Sequence, residues 1–160
     1  MSHAAISESV DALHRRVLAE GYGPGAWHGP DLKAAIADVT PALAYRRPAP
    51  GRHNIVEVVL HHAFFVRSVR AQITGSDPGK FVLDGEEWFV VDDASTLAWP
   101  GAQTALEIEQ QKLVDAVDAI AAGKASSPMA PMDRFNLVLG ITCHAVYHAG
   151  QIQLLERLMT

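Results

Sequence analysis

The sequence contains a single cysteine, Cys143, among its 160 residues. An intrachain disulfide is therefore excluded, and a reducing compartment such as the cytoplasm is the expected location. Basic residues are also few, with 13 Lys and Arg against 18 Asp and Glu and a formal net charge of −5. A surface that binds nucleic acid independently of its sequence needs a basic face, so direct binding of DNA or RNA is not expected.

Long apolar runs are missing as well. No segment approaches the roughly 20 apolar residues of a membrane-spanning helix, so no membrane association is expected. Residues 1–10 do not show the basic start and apolar centre of a signal peptide. With 49% hydrophobic and 19% charged residues, the composition is typical of a globular protein. We expect residues 1–160 to form one domain with its own core.

Four segments carry apolar residues at the spacing of an amphipathic helix. Asn54 is a candidate N-cap for the second of them, with Glu57 in the capping-box position three residues later. The segments are approximately 6–20, 54–73, 104–122 and 133–159, with a possible short helix over 31–39. The pattern predicts an all-α fold, a four-helix bundle. Its long connection over residues 75–100, between the second and third helices, either crosses the bundle or covers a pocket.

Two histidines, His144 and His148, lie four residues apart in the last predicted helix. At 100° per residue they are about 40° apart around the helix axis and about 6 Å apart along it, so both imidazoles can reach one metal ion. Both lie in the middle of the apolar stripe of this helix, with Tyr147 and Gln151 at its edge. Burying an imidazole without partners is costly, and a shared cation would satisfy several ring nitrogens together.

A third histidine is available from the second predicted helix, as either His61 or His62. If Arg67 and Arg70 mark the solvent-exposed side of this helix, the opposite direction lies about 30° from His61 and about 70° from His62. The stripe that contains His61 also carries Glu57 and other polar residues, which is typical of the wall of a site. We therefore choose His61 as the third ligand and keep His62 as the alternative.

Three stretches of the chain, 27–30, 53–61 and 140–152, resemble the DinB-like (YfiT-type) superfamily of metal-dependent proteins. The resemblance implies a four-helix bundle with a long connection between its second and third helices. It also implies that His61, His144 and His148 are the metal ligands. An aromatic residue often follows the first ligand by four positions in this family, and Phe65 occupies that position here.

Three imidazole ligands leave at least one coordination position open, which is the pattern of a catalytic rather than a structural site. Zinc or nickel is the expected metal, since imidazole suits both. We expect a metal-dependent enzyme, a transferase or hydrolase, that acts on a small-molecule substrate. Some members of the superfamily are transferases or isomerases that use a low-molecular-weight thiol, so a thiol-dependent S-transferase or isomerase is one specific form. The alternative is a non-catalytic metal-binding or stress-associated bundle.

Glu57 is the candidate catalytic residue, either as a general base or as the acceptor that orients an imidazole, although helix capping would also explain it. Tyr147 and Gln151 are candidate substrate-binding residues, and simple packing would also explain both. An arginine cluster in the linker before the second helix either binds a carboxylate or is merely solvated. The cluster consists of Arg46, Arg47 and Arg52.

Several further residues receive a simpler interpretation. We expect Cys143 to be a small buried hydrophobe. We expect four histidines to be solvated or to lie in loops, namely His3, His14, His28 and His53. The aromatic residues of 81–99 are expected in the core or at a dimer interface. A homodimer is the expected assembly.

Overall fold

The computed structural model describes the backbone of residues 3–160 and the side chains from residue 10 onward. The described residues form helices and irregular segments without any β-strand, so the all-α prediction is confirmed. Two expectations fall on side chains outside this description and stay predictions: that residues 1–10 carry no signal peptide, and that His3, at the start of the first helix, is solvated. The helices are α1 (His3–Tyr22), α2 (Leu32–Ala37), α3 (Pro41–Ala44), α4 (Ile55–Thr74), α5 (Trp99–Ala121) and α6 (Pro131–Met159).

The four long helices, α1, α4, α5 and α6, pack around a common core. Helix α1 lies against α5 and α6, and α4 also lies against α5 and α6, so each long helix has two long neighbours. The short helix α2 packs on α6. Two apolar clusters fill the interior, one around the first half of α4 and the other around Val66, Ile73 and Leu113. The site described below lies where α4 and α6 are neighbours.

Asn54 is the N-cap of helix α4, as the capping pattern predicts. The Oδ1 atom of Asn54 accepts a hydrogen bond from the backbone N–H of Glu57 at 2.9 Å. Its amide group donates to the carbonyls of Tyr45 and Val91. The helix ends at Thr74, and its C-cap, Gly75, adopts the left-handed conformation with φ 66°. Asn54 therefore caps the helix and also fixes two neighbouring segments against it.

The connection between α4 and α5, residues 75–98, lies across α4. Its Phe89 and Val91 side chains are buried in the core. Arg67 and Arg70 are half-buried and donate to the carbonyls of Gly79 and Pro78. These arginines therefore do not mark a solvent-exposed face, contrary to the premise used to choose His61. The first half of α4 is buried on every side, so His61 and His62 both point into the protein.

Two expectations about single residues are wrong. Cys143 is exposed rather than buried. His14 is only 1% exposed and stacks on the ring of Phe135, so it is a core residue rather than a solvated one.

Among the described helices, none combines the length and apolar character that crossing a lipid bilayer requires.

Candidate metal centre

Three histidines from two neighbouring helices come together inside the protein. His61 from α4 and His144 and His148 from α6 each offer one ring nitrogen, and these nitrogens all lie within 4.8 Å of one another. The Nε2 atoms of His144 and His148 are 3.0 Å apart. Within the described residues, this is the cluster of His, Cys, Asp and Glu side chains whose spacing suits a metal ion.

The spacing of these nitrogens agrees with the size of a divalent ion. A metal–imidazole bond of about 2.0 to 2.1 Å places neighbouring ligand nitrogens roughly 3.0 to 3.4 Å apart. The Nε2 atoms of His144 and His148 already have this separation. A side-chain movement of roughly 1–2 Å brings the third nitrogen into the same range. The donor set therefore fits a bound ion without rearrangement of the helices.

Hydrogen bonds to oxygen acceptors orient two of the three rings. His61 donates from Nδ1 to the backbone carbonyl of Glu87 at 2.9 Å. His148 donates from Nδ1 to the side-chain oxygen of Gln151, also at 2.9 Å. Because an oxygen acceptor requires the hydrogen to sit on Nδ1, the Nε2 atom of each neutral ring carries a lone pair. Both lone pairs are thus available to a metal ion.

The third ring, His144, is oriented by another histidine. Its Nδ1 atom lies 2.8 Å from Nδ1 of His62, so one of the two nitrogens must carry the hydrogen. With the hydrogen on His144, its Nε2 carries a lone pair and can bind a metal. With the hydrogen on His62, Nε2 of His144 is protonated and donates to Nε2 of His148 instead. The pair therefore has one arrangement that suits a bound cation and one that suits its absence.

His62 was predicted only as an alternative to His61, and the structure places both at the site. His62 is 1% exposed, and its Nε2 atom has no hydrogen-bond partner among the described residues. Adjacent residues on a helix point about 100° apart, so sequence reasoning treated them as exclusive. His61 and His62 both reach the site because every residue of α4 from Ile55 to Ala63 is buried.

Burial keeps the four histidines of the site neutral at physiological pH. Desolvation lowers the pKa of His61 and of His148, and it lowers the pKa of His62 well below its usual value. Desolvation, with the nearby rings of His148 and His61, lowers the pKa of His144 to about 4. Metal ligands must be deprotonated, so these shifts favour metal binding over proton binding at neutral pH.

Aromatic rings enclose one side of the cluster. Trp88 stacks on His61 with 3.8 Å between ring centroids and 11° between planes, and it also stacks on His53 with 3.7 Å between centroids. Phe65 meets His61 edge-on at 4.9 Å. The expectation that the aromatics of 81–99 lie in the core holds for Phe89, which is buried, but Trp88 packs on a site histidine.

Glu57 is buried, and its carboxylate is fully engaged. It accepts hydrogen bonds from Arg47, from His53 at 2.8 Å and from the backbone N–H of Val91 at 3.1 Å. Burial raises the pKa of Glu57, but the hydrogen bonds from Arg47, His53 and Val91 outweigh it and hold the pKa below its usual value. None of the three clustered histidines is among these partners. Glu57 thus orients His53, which in turn stacks on Trp88.

The other predicted residues have more modest surroundings. Tyr147 is 67% exposed, with its ring 5.2 Å from that of His148. Gln151 is half-buried and contacts His148 directly. Arg47 bridges Glu57 and Asp92, so it belongs to an ion-pair network that links the segment before α4 to the connection.

Fold and site together define a class: a helical protein with three convergent histidines able to hold a metal ion. A family model for the DinB superfamily matches residues 26–152 and so includes His61, His144 and His148. The match covers most of the 160 residues, and the chain belongs to the DinB superfamily. Searches of curated proteins and of solved structures found no match.

Proposed function

We propose that this protein binds one divalent metal ion per chain through His61, His144 and His148 and uses it as an enzyme acting on a small molecule. The observation that carries the proposal is the convergence of three imidazole nitrogens within 4.8 Å. The Nδ1 atom of each ring is already occupied by a hydrogen-bond partner. Partners of this kind fix the orientation of metal-ligating histidines in known sites. Zinc or nickel is the proposed ion, because neutral imidazole suits both.

The number of ligands favours a reaction over a purely structural role. Structural zinc sites are closed by four protein ligands, whereas catalytic sites keep a position open. The cluster among the described residues has three members, all histidines. A divalent ion held in this way supplies Lewis acidity to a water, a thiol or a substrate oxygen. A thiol-dependent transferase or isomerase with a low-molecular-weight thiol cosubstrate is the specific form that we propose.

The surrounding residues have distinct tasks in this proposal. Trp88 and Phe65 cover the rings of the site with apolar surface and exclude water from that side. Gln151 and His62 hold the two α6 histidines in their binding orientations. Glu57 acts as a positioning residue through His53 and Trp88, because its carboxylate is bound by Arg47 and its lowered pKa makes it a weak base.

One observation favours a second candidate, a non-catalytic metal-binding bundle. An anionic substrate needs a free cationic partner, and Arg47, which lies in the cluster considered for that role, is committed to Glu57 and Asp92. A bundle that only binds metal would need no such partner. The cytoplasmic location and the absence of nucleic-acid partners stay predictions for either candidate.

Metal content tests the binding step. Purified protein should contain close to one divalent ion per chain by elemental analysis, and His144→Ala should lose it. His28→Ala is the matched control, because His28 is exposed and bonds only to a backbone carbonyl among the described residues. Equal metal content in the two variants, or a metal-free wild-type protein that does not take up Zn²⁺ or Ni²⁺, would contradict the proposed site.

Activity separates the enzyme from the metal-binding bundle. Metal-loaded wild-type protein is incubated with a low-molecular-weight thiol and a panel of small electrophiles, and thiol consumption is followed. We expect turnover that disappears on chelation, returns when the metal is restored, and is absent in His144→Ala. Full metal occupancy without turnover across the panel would support the non-catalytic candidate.

A further inference from the structure

A cavity of about 540 Å³ lies between helices α1, α2 and α5. Four residues of α1 and four of α5 line it, and in each helix they recur at i, i+3, i+4 and i+7, so that one face of each helix forms a wall. Helix α2 forms a third wall through Lys33, Ala34 and Ala37. The volume falls within the roughly 300 to 1,000 Å³ of small-molecule sites. The cavity therefore has the size of a ligand site.

The cavity is separate from the metal centre. The three clustered histidines belong to α4 and α6, and none of the described lining residues belongs to either helix. Because α1 packs on α5 and α4 packs on α6, these two pairs form opposite edges of the bundle. A molecule in the cavity therefore occupies a site of its own.

Three buried polar side chains line the cavity with unused hydrogen-bonding atoms. Tyr22, Asp31 and Gln110 are 9%, 7% and 5% exposed. The hydroxyl of Tyr22, the amide of Gln110 and the Oδ2 atom of Asp31 make no hydrogen bond within the part of the chain that the structure describes, yet none of them is sealed from solvent. Buried polar groups are normally hydrogen-bonded. These atoms are therefore free to bind a ligand that enters the cavity.

The carboxylate of Asp31 does more than cap a helix. Its Oδ1 atom accepts a hydrogen bond from the backbone N–H of Ala34 at 3.0 Å, as the N-cap of α2. Capping requires only this oxygen, which Asn, Ser or Thr would also provide, so it does not account for the charge. Gly23 leaves room for the second oxygen, since a Cβ atom at that position would collide with Oδ2. The chain around Asp31 is thus shaped to hold a carboxylate.

The other charged residues that line the cavity are already paired. Arg15 forms an ion pair with Asp118 at 2.5 Å. Lys33 forms one with Glu107 at 2.7 Å. Asp31 has no ion-pair partner among the described residues, so the cavity carries one negative charge without a counter-ion. This balance favours a ligand with a single positive charge.

An organic ammonium ion matches these groups better than a metal ion does. Ca²⁺ takes about six to eight oxygen ligands, more than the side chains of the cavity provide. A primary ammonium group has three N–H donors, and the side-chain oxygens of Asp31, Tyr22 and Gln110 are three acceptors. Apolar side chains that include Leu18 and Val114 line the remainder and suit a hydrocarbon body. We propose that this cavity is a second ligand site, which binds a small primary amine in its ammonium form with Asp31 as the counter-ion.

Titration with benzylamine tests the class of ligand. The ¹⁵N-labelled protein is followed by NMR in the presence of a strong chelator, so that the amine cannot coordinate a metal ion. We expect saturable shifts at the backbone N–H of Ala34 and at the side-chain amide of Gln110, with a dissociation constant on the order of 1 mM. Benzyl alcohol, which lacks the charge, should bind at least about tenfold more weakly. Equal affinity for both compounds, or shifts that do not saturate, would overturn the proposal.

Two variants test the location of the bound amine. Asp31→Asn keeps a capping oxygen and removes the charge, so it should preserve the melting temperature and weaken benzylamine binding at least about tenfold. Asp38→Asn is the matched control, because Asp38 is exposed at the other end of α2 and does not line the cavity. Ala34→Leu fills part of the cavity and should weaken binding as well. Unchanged affinity in Asp31→Asn or in Ala34→Leu would refute the site.

A third variant, His144→Ala, tests whether the cavity is independent of the metal centre. This variant should not retain a metal ion, yet it should bind benzylamine as tightly as the wild-type protein does. Loss of benzylamine binding in His144→Ala would place the amine at the metal centre and overturn the proposal.

Discussion

Replacing His62 by leucine separates the requirements of metal binding from those of folding. His62 provides the partner for Nδ1 of His144 at 2.8 Å, so its removal leaves that metal ligand without its orienting hydrogen bond. Loss of such a partner typically reduces metal affinity 10- to 100-fold, which corresponds to about 1.4 to 2.8 kcal/mol. We expect His62→Leu to bind Zn²⁺ weaker by this factor while keeping a stoichiometry of one ion per chain.

The stability of the metal-free protein should change in the opposite direction. His62 is buried, and its Nε2 atom has no partner among the described residues. A buried polar atom without a partner costs about 1–3 kcal/mol, and leucine of similar volume removes that cost. The Nδ1 atom of His144 loses its partner at the same time, which offsets part of that gain. We therefore expect the free energy of unfolding of the metal-free variant to stay the same or to rise by about 1–2 kcal/mol.

Two assays measure these quantities. Competition with a chromophoric chelator gives the affinity for Zn²⁺, and denaturation in the presence of a strong chelator gives the stability of the metal-free state. His62→Gln is the control, because its side-chain oxygen can still accept from His144 and should recover part of the affinity. Wild-type affinity in His62→Leu would refute the orienting role. Complete loss of metal in His62→Leu, with metal retained in His61→Ala, would make His62 the ligand instead.

Three further predictions concern the surroundings of the site. Bound Ni²⁺ should quench the fluorescence of Trp88, whose ring stacks on His61 at 3.8 Å. Trp88→Phe should therefore remove most of the fluorescence change that Ni²⁺ causes. If the variant shows the same fluorescence change as the wild-type protein, the stacking is contradicted. Glu57→Gln should destabilise the protein by about 1–3 kcal/mol at pH 7, measured by urea denaturation. The folded pKa of Glu57 is lowered, so its contribution is present above about pH 4.3 and is lost as the pH falls through the folded value. A difference between the two proteins that does not decrease as the pH falls below about 4.3 would refute this assignment. Asn54→Ala should lower the free energy of unfolding by about 2–3 kcal/mol. Asn54→Ser keeps the capping oxygen and should lower it by about 1 kcal/mol less. Equal melting temperatures for these two variants would show that the cap contributes nothing.

Local signals in the sequence predicted the helices well. The N-cap predicted at Asn54 is the observed N-cap of α4. The helical spacing of apolar residues predicts the start of α6 at residue 133, two residues after its observed first residue, Pro131. The start of α5 is less well predicted. Helix α5 begins at Trp99, five residues before the predicted position, because Pro100 reads as a helix breaker although proline is well tolerated in the first turn.

Contacts between distant segments were the part that could not be predicted. The choice of His61 rested on Arg67 and Arg70 being solvent-exposed, whereas both donate to carbonyls of the connection. Trp88 is 27 residues from His61, and no periodic pattern relates a residue of an irregular segment to a helix face. Cys143 was assigned to the interior from the usual burial of free cysteine, yet the rotation of α6 that buries His148 turns Cys143 outward.

The acceptor for His61 is the backbone carbonyl of Glu87, not a side chain. Point substitutions at position 87 consequently leave this acceptor in place. The backbone at Glu87 has φ 43°, so glycine and asparagine suit this position better than β-branched residues do. Changes in chain length are different. Val91 is anchored by Asn54 and Glu57 only four positions further on, and one inserted or deleted residue shifts an extended chain by about 3.3 Å. That shift exceeds the tolerance of a hydrogen bond. For the segment between Glu87 and Val91, we therefore expect an insertion or deletion to displace the acceptor of His61, whereas a change of side chain at position 87 alone does not remove it.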